Sequence, residues 1–234
     1  MKWKRILLKL SGESLMAKDG YSIDYENIIH FSEEIRDAVE HEVQVGVVIG
    51  GGNIFRGVKG AGAGFDRRAG DYMGMLATVI NAVALENSLS SLGVKGRVLT
   101  AMNIEGIGEK IHFQKASDYL NRGEVVIFGG GTGNPFFTTD SAAALRAAEI
   151  HADLFLKGTR VDGVYTADPE KDPSASRFEE ISFEDAYNKG LKIMDLTAFT
   201  ICKENHLKLY VYNANQRGNL LSVLQEKKIG TLLY

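Results

Sequence analysis

The sequence predicts an α/β fold, a three-layer sandwich in which a mostly parallel central sheet lies between layers of helices. Three observations predict it. Strand-like runs alternate with helical patterns almost from end to end. The runs RILLKL, VQVGVVI, VVIF and DLFL are nearly continuously apolar, as strands buried on both faces are. Several of them run straight into glycine-rich or lysine-bearing turns, and ligands in such sheets gather outside the carboxyl ends of the strands.

Residues 5–10, RILLKL, form the first buried strand, with Lys9 near its end before Ser11 and Gly12. An ammonium there is costly to desolvate without a partner. It either snorkels to water or points into an anion site built by the KLSGES turn. Residues 13–22, with Lys18-Asp19-Gly20, read as a hairpin-like loop. Over 25–41, Ile28, Ile29, Phe31, Ile35, Ala38 and Val39 fall close to helical spacing and give the first crossover helix. The second strand ends in Gly50, Gly51 and Gly52, and Arg56 follows with a donor fork suited to phosphate or carboxylate. Residues 58–64 read as a loop. A long helix over about 67–92 runs through Met73, Leu76, Val79, Val83 and Leu89. Asp71 falls in its first turn, where a carboxylate suits the helix dipole, or else it faces the cleft and accepts from sugar hydroxyls.

VKGRVLT is the next strand, MNIEGIGEK a loop, and HFQKASDYLNRG a helix with Gly123 at its C-terminal cap. The strand at 125–128 then enters GGGTGNPFFTTD, and TDSAAALRAAEIH is a helix with Thr139 or Asp140 as N-cap. Such a turn exposes backbone N–H groups at the positive end of a helix dipole, where phosphate binds without any special side chain. A ligand-free connection would need fewer small and polar residues. The strand ADLFLKG brings Lys157 to the same end of the sheet as Lys9 and the two glycine turns. TRVDGVYTADPEKDP, with Asp162, Asp168, Asp172, Pro169 and Pro173, is either an irregular connection rich in turn formers or a loop clasping a base and ribose. Two short helical patterns flank Asp195, and LKLYVYN, a helix near 218–227 and TLLY finish the chain. No linker, repeat or low-complexity tract appears, so a single domain over 1–234 is expected.

With 234 residues and 44% apolar content, the chain can bury a sizeable core. A net charge of -3 offers no general attraction to nucleic acid or membrane. One cysteine, Cys202, excludes an internal disulfide and fits a reducing cytoplasm. The apolar run after MKWKR is too short for a membrane helix. A soluble cytoplasmic protein is expected.

The chemistry narrows by elimination. The absence of any Gly-Lys dipeptide excludes the phosphate loop of ordinary nucleoside triphosphatases. The third glycine of G-x-G-x-x-G is replaced by Phe55, Phe65, Arg67, Asn134 or Phe136 in the glycine clusters, which argues against a dinucleotide-dependent dehydrogenase. The five histidines are scattered without metal-ligand spacing, and no nucleophile elbow is present. Several anion cradles, a strand lysine, an arginine and scattered aspartates remain. Phosphoryl transfer needs that inventory, because its catalysis is mostly positioning and charge neutralisation.

KLSGES, VVIGGGNIFRG, GDYMGMLATVINA, GTGNPFFTTDSAA, LKGTRVDGVYTADP and MDLTAF together resemble the bacterial-type uridylate kinases of the amino acid kinase superfamily, over about residues 5–234. The resemblance implies an amino acid kinase-like fold, transfer of phosphate from ATP to UMP with Mg²⁺ in pyrimidine biosynthesis, a homo-hexamer, and inhibition by UTP. It also implies a UMP-binding lobe that is mostly N-terminal and an ATP-binding lobe that is mostly C-terminal. By matched motif, Lys9, Leu10, Ser11 and Gly12 correspond to the donor-phosphate turn, with Gly52 and Arg56 on the ATP side. Thr159, Tyr165 and Asp168 correspond to the adenosine site. Gly51, Asp71 and the block Thr132, Gly133, Asn134, Pro135, Phe136, Phe137, Thr138 and Thr139 correspond to UMP contacts. Lys9, Arg56, Asp140 and Asp195 are the implied catalytic set, and no protein metal ligand is implied. Some members are activated by GTP through an arginine-rich pocket between subunits. Here Arg97 matches that pocket, but Glu86, Ser90 and Glu124 stand where those members carry basic or histidine side chains, which tells against GTP activation.

Two other readings compete. One is another amino acid kinase acting on a carboxylate or carbamate, which would not need TGNPFFTTD. The other is a nucleotide-sensing protein without turnover, which would be expected to lack Lys9 or Asp140.

Overall fold

The computed structural model describes residues 1–17, 22–55 and 66–234. Arg56, the loop expected at 58–64 and Lys18-Asp19-Gly20 lie outside the described residues.

Nine strands occur among the described residues: β1 (Arg5–Leu10), β2 (Gln44–Ile49), β3 (Gly96–Thr100), β4 (Glu109–Lys110), β5 (Val125–Gly129), β6 (Leu154–Thr159), β7 (Glu180–Ile181), β8 (Leu209–Asn213) and β9 (Gly230–Leu233). The helices are α1 (Tyr25–Glu40), α2 (Arg67–Ser91), α3 (Phe113–Asn121), α4 (Thr139–Glu149), α5 (Phe183–Asn188), α6 (Leu196–Glu204) and α7 (Asn219–Leu224). The strands form one sheet in the order β4-β3-β5-β2-β1-β6-β8-β9-β7. Every pairing is parallel except β8 with β9. Among the described residues no helix is long and apolar enough to cross a membrane.

Strand alternation sorts the core into two layers. Ile6, Leu8 and Leu10 of β1 face one cluster with α1, α2 and α7. Leu7 faces the other, with α3, α4, α5 and α6. Lys9 shares the parity of Leu7 and therefore emerges on the α4 side. Residues Ile6 to Lys9 of β1 pair in parallel with β6, and this register sets Lys9 beside Lys157.

Several local expectations shift. MNIEGIGEK contains the two-residue strand β4, held by its ladder to β3. The N-cap of α4 is Thr138, one residue before the two candidates, and its hydroxyl accepts from the N–H groups of Asp140 and Ser141. Asp66 caps α2, so Asp71 lies just past the first turn. Gly123 follows the cap residue Arg122 in the left-handed conformation, a position that glycine fills without strain.

Candidate active site

The turns after β1 and β2 are packed backbone to backbone, and the turn after β5 packs in the same way on the one after β3. A Cβ on Gly12 would lie 2.6 Å from the Gly52 nitrogen and 2.7 Å from the Gly50 carbonyl oxygen, so no larger residue fits without moving the turns apart. Helix α2 holds two of these turns with buried polar side chains. Asn81 donates to the Gly50 carbonyl at 2.7 Å and exchanges amide hydrogen bonds with Asn53. Thr78 accepts from the Gly130 N–H at 2.8 Å. A satisfied buried polar network of this kind fixes one geometry. Sequence reasoning missed Asn53, Thr78 and Asn81; their polarity on otherwise apolar helical or turn positions was the available signal.

At the centre, Asp140 is ion-paired with two lysines and accepts a hydrogen bond from one of them, Lys157. Lys9 Nζ lies 2.9 Å from Oδ1 and Lys157 Nζ 2.6 Å from Oδ2. Lys157 also donates to the Ile193 carbonyl. Burial opposes ionisation of Asp140, but the two ammonium groups outweigh it and hold its pKa below the usual carboxylate value. Burial lowers the pKa of Lys157, with Asp140 acting against that and Lys9 adding to it. Two cations are thus kept close together by one carboxylate, at the carboxyl end of two central strands, where both line a cleft. Lys157 was visible in the sequence as a strand-end lysine, but only the β1–β6 register reveals its partnership with Lys9.

Asp195 takes a different part from Asp140. It caps α6 through the Ala198 N–H at 2.9 Å, accepts from Ser141 at 2.8 Å, and accepts from the Thr138 hydroxyl. One carboxylate therefore ties the N-terminus of α6 to that of α4, which carries Asp140.

Three clefts open around this centre. One, of about 330 Å³, is bounded by Gly51, Gly52, Asp71, Thr132, Asn134 and the segment 136–139, with Arg67 and Met75 from α2. Another, of about 350 Å³, is lined by Lys9, Ser11, Lys157, Thr159 and Asn215. The third, of about 630 Å³, is lined by Thr159, Tyr165, Asp168, Gly190 and Ile193. Its wall is set by Tyr165, which donates to Asp162 at 2.5 Å, and by Asp168, which accepts from the Glu170 N–H at 3.1 Å and pairs with Lys171. Leu10 is fully buried behind the site rather than lining a cleft. Gly133 and Pro135 belong to the turn beside the first cleft, where Thr132 and Asn134 bond each other. Apart from Leu10, the described residues assigned from sequence therefore gather at the carboxyl end of the sheet, with Lys9, Lys157 and Asp140 at the junction.

Nucleotide-sized clefts at the carboxyl ends of parallel strands, with paired lysines beside them, suit a phosphotransferase, and the model of the Amino acid kinase family matches residues 4–213. A uridylate kinase of Bacteroides thetaiotaomicron is 55% identical over 233 residues, covering 100% of this chain and 99% of that protein. One from Porphyromonas gingivalis is 56% identical over 229 residues, covering 98% and 96%. The crystal structure of UMP kinase from Bacillus anthracis superposes with a TM-score of 0.96 at 35% identity, covering 99% of this chain and 96% of that one. UMP kinase from Ureaplasma parvum superposes with a TM-score of 0.94 at 39% identity, covering 100% and 99%. The chain belongs to the amino acid kinase family and, within it, to the uridylate kinases.

Proposed function

We propose that the protein transfers the terminal phosphate of ATP to UMP, giving UDP and ADP, as a step of pyrimidine nucleotide biosynthesis in the cytoplasm. The observation that carries this reading is the Lys9–Asp140–Lys157 arrangement between two nucleotide-sized clefts. A phosphate oxygen of UMP attacks the terminal phosphorus of ATP and ADP leaves in line, with charge spread over the equatorial oxygens. Lys9 and Lys157 neutralise that charge, and Asp140 keeps both ammonium groups in place without taking a proton. Asp195 keeps the two helix N-termini in fixed relation. The turn Lys9, Leu10, Ser11 and Gly12, with Gly52 and Arg56, serves the ATP phosphates, and Thr159, Tyr165 and Asp168 serve its adenosine. Gly51, Asp71 and residues 132–139 serve UMP. The two lobes belong to a single domain over 1–234, a reading supported by the one continuous sheet; limited proteolysis releasing two folded pieces would contradict it.

Among the described residues no His, Cys, Asp or Glu side chains cluster as a metal site. Asp140 and Asp195 are already engaged by lysines, hydroxyls and an N–H group. This donor set fits a Mg²⁺ that arrives on the nucleotide phosphates and keeps most of its waters, with Asp140 as the carboxylate available to its water shell. When bound, the ion would neutralise charge on the nucleotide phosphates.

A homo-hexamer is proposed on the resemblance. It is supported by the apolar stripe Tyr72, Met73, Leu76, Ile80 and Val83 on α2, each between 39% and 52% exposed. A monomer in sedimentation at micromolar concentration would refute it. UTP is proposed as an inhibitor. Activation by GTP is not proposed, because Glu124 is buried and already pairs with Arg97 at 2.5 Å and Lys95 at 3.2 Å.

A coupled ADP-release assay, run with and without Mg²⁺ and UTP, tests the reading with UMP, CMP, AMP, aspartate and glutamate as acceptors. UMP is expected to support turnover; turnover with an amino acid but not with UMP would overturn it. The division between the two nucleotides is tested by two aspartates. Losing a hydrogen bond to a charged group weakens a ligand by about 10- to 150-fold. Asp71→Asn is expected to raise KM for UMP by that order and leave KM for ATP within a few-fold, and Asp168→Asn to do the reverse. Equal effects on both constants, or changes in melting temperature alone, would reduce both residues to helix and turn formers.

A further inference from the structure

We propose that Arg67 is a positioning residue for the acceptor nucleotide, acting through a clasp with Asp71 and Phe136 that fastens the 132–139 turn to helix α2. The inference rests on the reading of this cleft as the UMP subsite. Phe136 has φ of +73°, a conformation that a bulky side chain rarely adopts and that persists only where its surroundings impose it. The residue is 59% exposed, so core packing does not impose it. Two contacts from α2 do. Asp71 Oδ2 accepts from the Phe136 N–H at 2.8 Å. The Arg67 guanidinium carbon lies 5.3 Å from the centre of the Phe136 ring, and Arg67 Nε is 3.9 Å from the same Asp71 oxygen. Arg67 therefore covers the ring with its cation and steadies the carboxylate that grips the backbone. Both contacts come from successive turns of one helix, whose N-terminus is fixed by the Asp66 cap.

A turn already held in its binding geometry binds tighter because less ordering remains to be done when the ligand arrives. The clasp is thus expected to act on acceptor affinity and to leave the chemical step alone. An exposed cation over an aromatic ring contributes the equivalent of about a two- to fivefold change in a binding constant.

The test uses the full-length protein with Arg67→Ala, Arg67→Lys, Phe136→Leu and the Arg67→Ala/Phe136→Leu double variant. Calorimetric titration with UMP is expected to show a two- to fivefold weaker Kd for Arg67→Ala and near-native binding for Arg67→Lys. The double variant should be no weaker than Phe136→Leu alone, because coupled residues are not additive. In Arg67→Ala, KM for UMP should follow Kd while kcat and KM for ATP stay within twofold. In the ligand-free protein, amide exchange of the peptide containing Phe136 should quicken in Arg67→Ala. Native affinity in Arg67→Ala, additive losses in the double variant, or unchanged amide exchange would each overturn the clasp. Absence of UMP binding by the unmodified protein would instead overturn the acceptor reading itself, while the exchange measurement would still decide whether the clasp exists.

Discussion

Asp140→Asn is expected to damage both stability and turnover more than any other single change at the site. The substitution keeps the side chain's shape but removes the charge that lets Lys9 and Lys157 sit together, leaving two largely buried ammonium groups facing each other. Removing one partner of a buried ion pair typically destabilises by about 3–5 kcal/mol. Turnover is expected to fall by about 10²-fold or more, because the cations no longer converge on one point. Urea unfolding at fixed protein concentration measures the first effect and steady-state kinetics the second. The pH dependence gives an internal check. Because the folded pKa of Asp140 lies below its ordinary value of 3.8, its contribution is present above that pH and is lost as pH falls through the lowered folded value. The gap between native and variant stability should therefore be full at neutral pH and close only in strong acid. A gap that closes already near neutrality would mean that the carboxylate is not the group holding the lysines.

Lys9→Ala is expected to lower kcat by about 10²-fold or more with little change in UMP affinity. Asp140 keeps Lys157 as a partner in this variant, so the fold should persist. The same order of loss in KM for UMP, with kcat preserved, would move Lys9 from the reaction centre to ground-state binding. Normal turnover in the folded variant would remove it from the mechanism.

Much of this architecture was legible in the sequence because it is written locally. β1, β2, β5 and β6 are runs too apolar to be anything but buried, and the glycines after β2 and β5 mark their ends. The family blocks then point to the residues around both clefts. What was not legible depends on neighbours distant in sequence. Thr138, Thr139 and Asp140 are all good helix caps, so local chemistry cannot choose among them. The choice falls to Thr138 because Asp140 is drawn to the lysines and Thr138 to Asp195. Glu109 and Lys110 have no strand character of their own and extend the sheet only because β3 offers a free edge. The partnership of Lys9 with Lys157 is a matter of register, and a slip of one residue would send one of them to the opposite face. Arg67 read as the first residue of a helix; nothing in its neighbours foretold the ring it covers.

The central place of β1 has a consequence for how the protein is made. β1 emerges from the ribosome before the other eight described strands, and β2 can pair with it soon afterwards, but its other edge stays bare until residues 154–159 have been synthesised. A long wait for a distant partner slows folding and leaves an apolar strand edge available to other chains. Lys9 likewise has no Lys157 to meet until that moment. Turnover therefore cannot precede β6, and a chain interrupted before β6 should associate through its bare edge rather than survive as a half-active fragment.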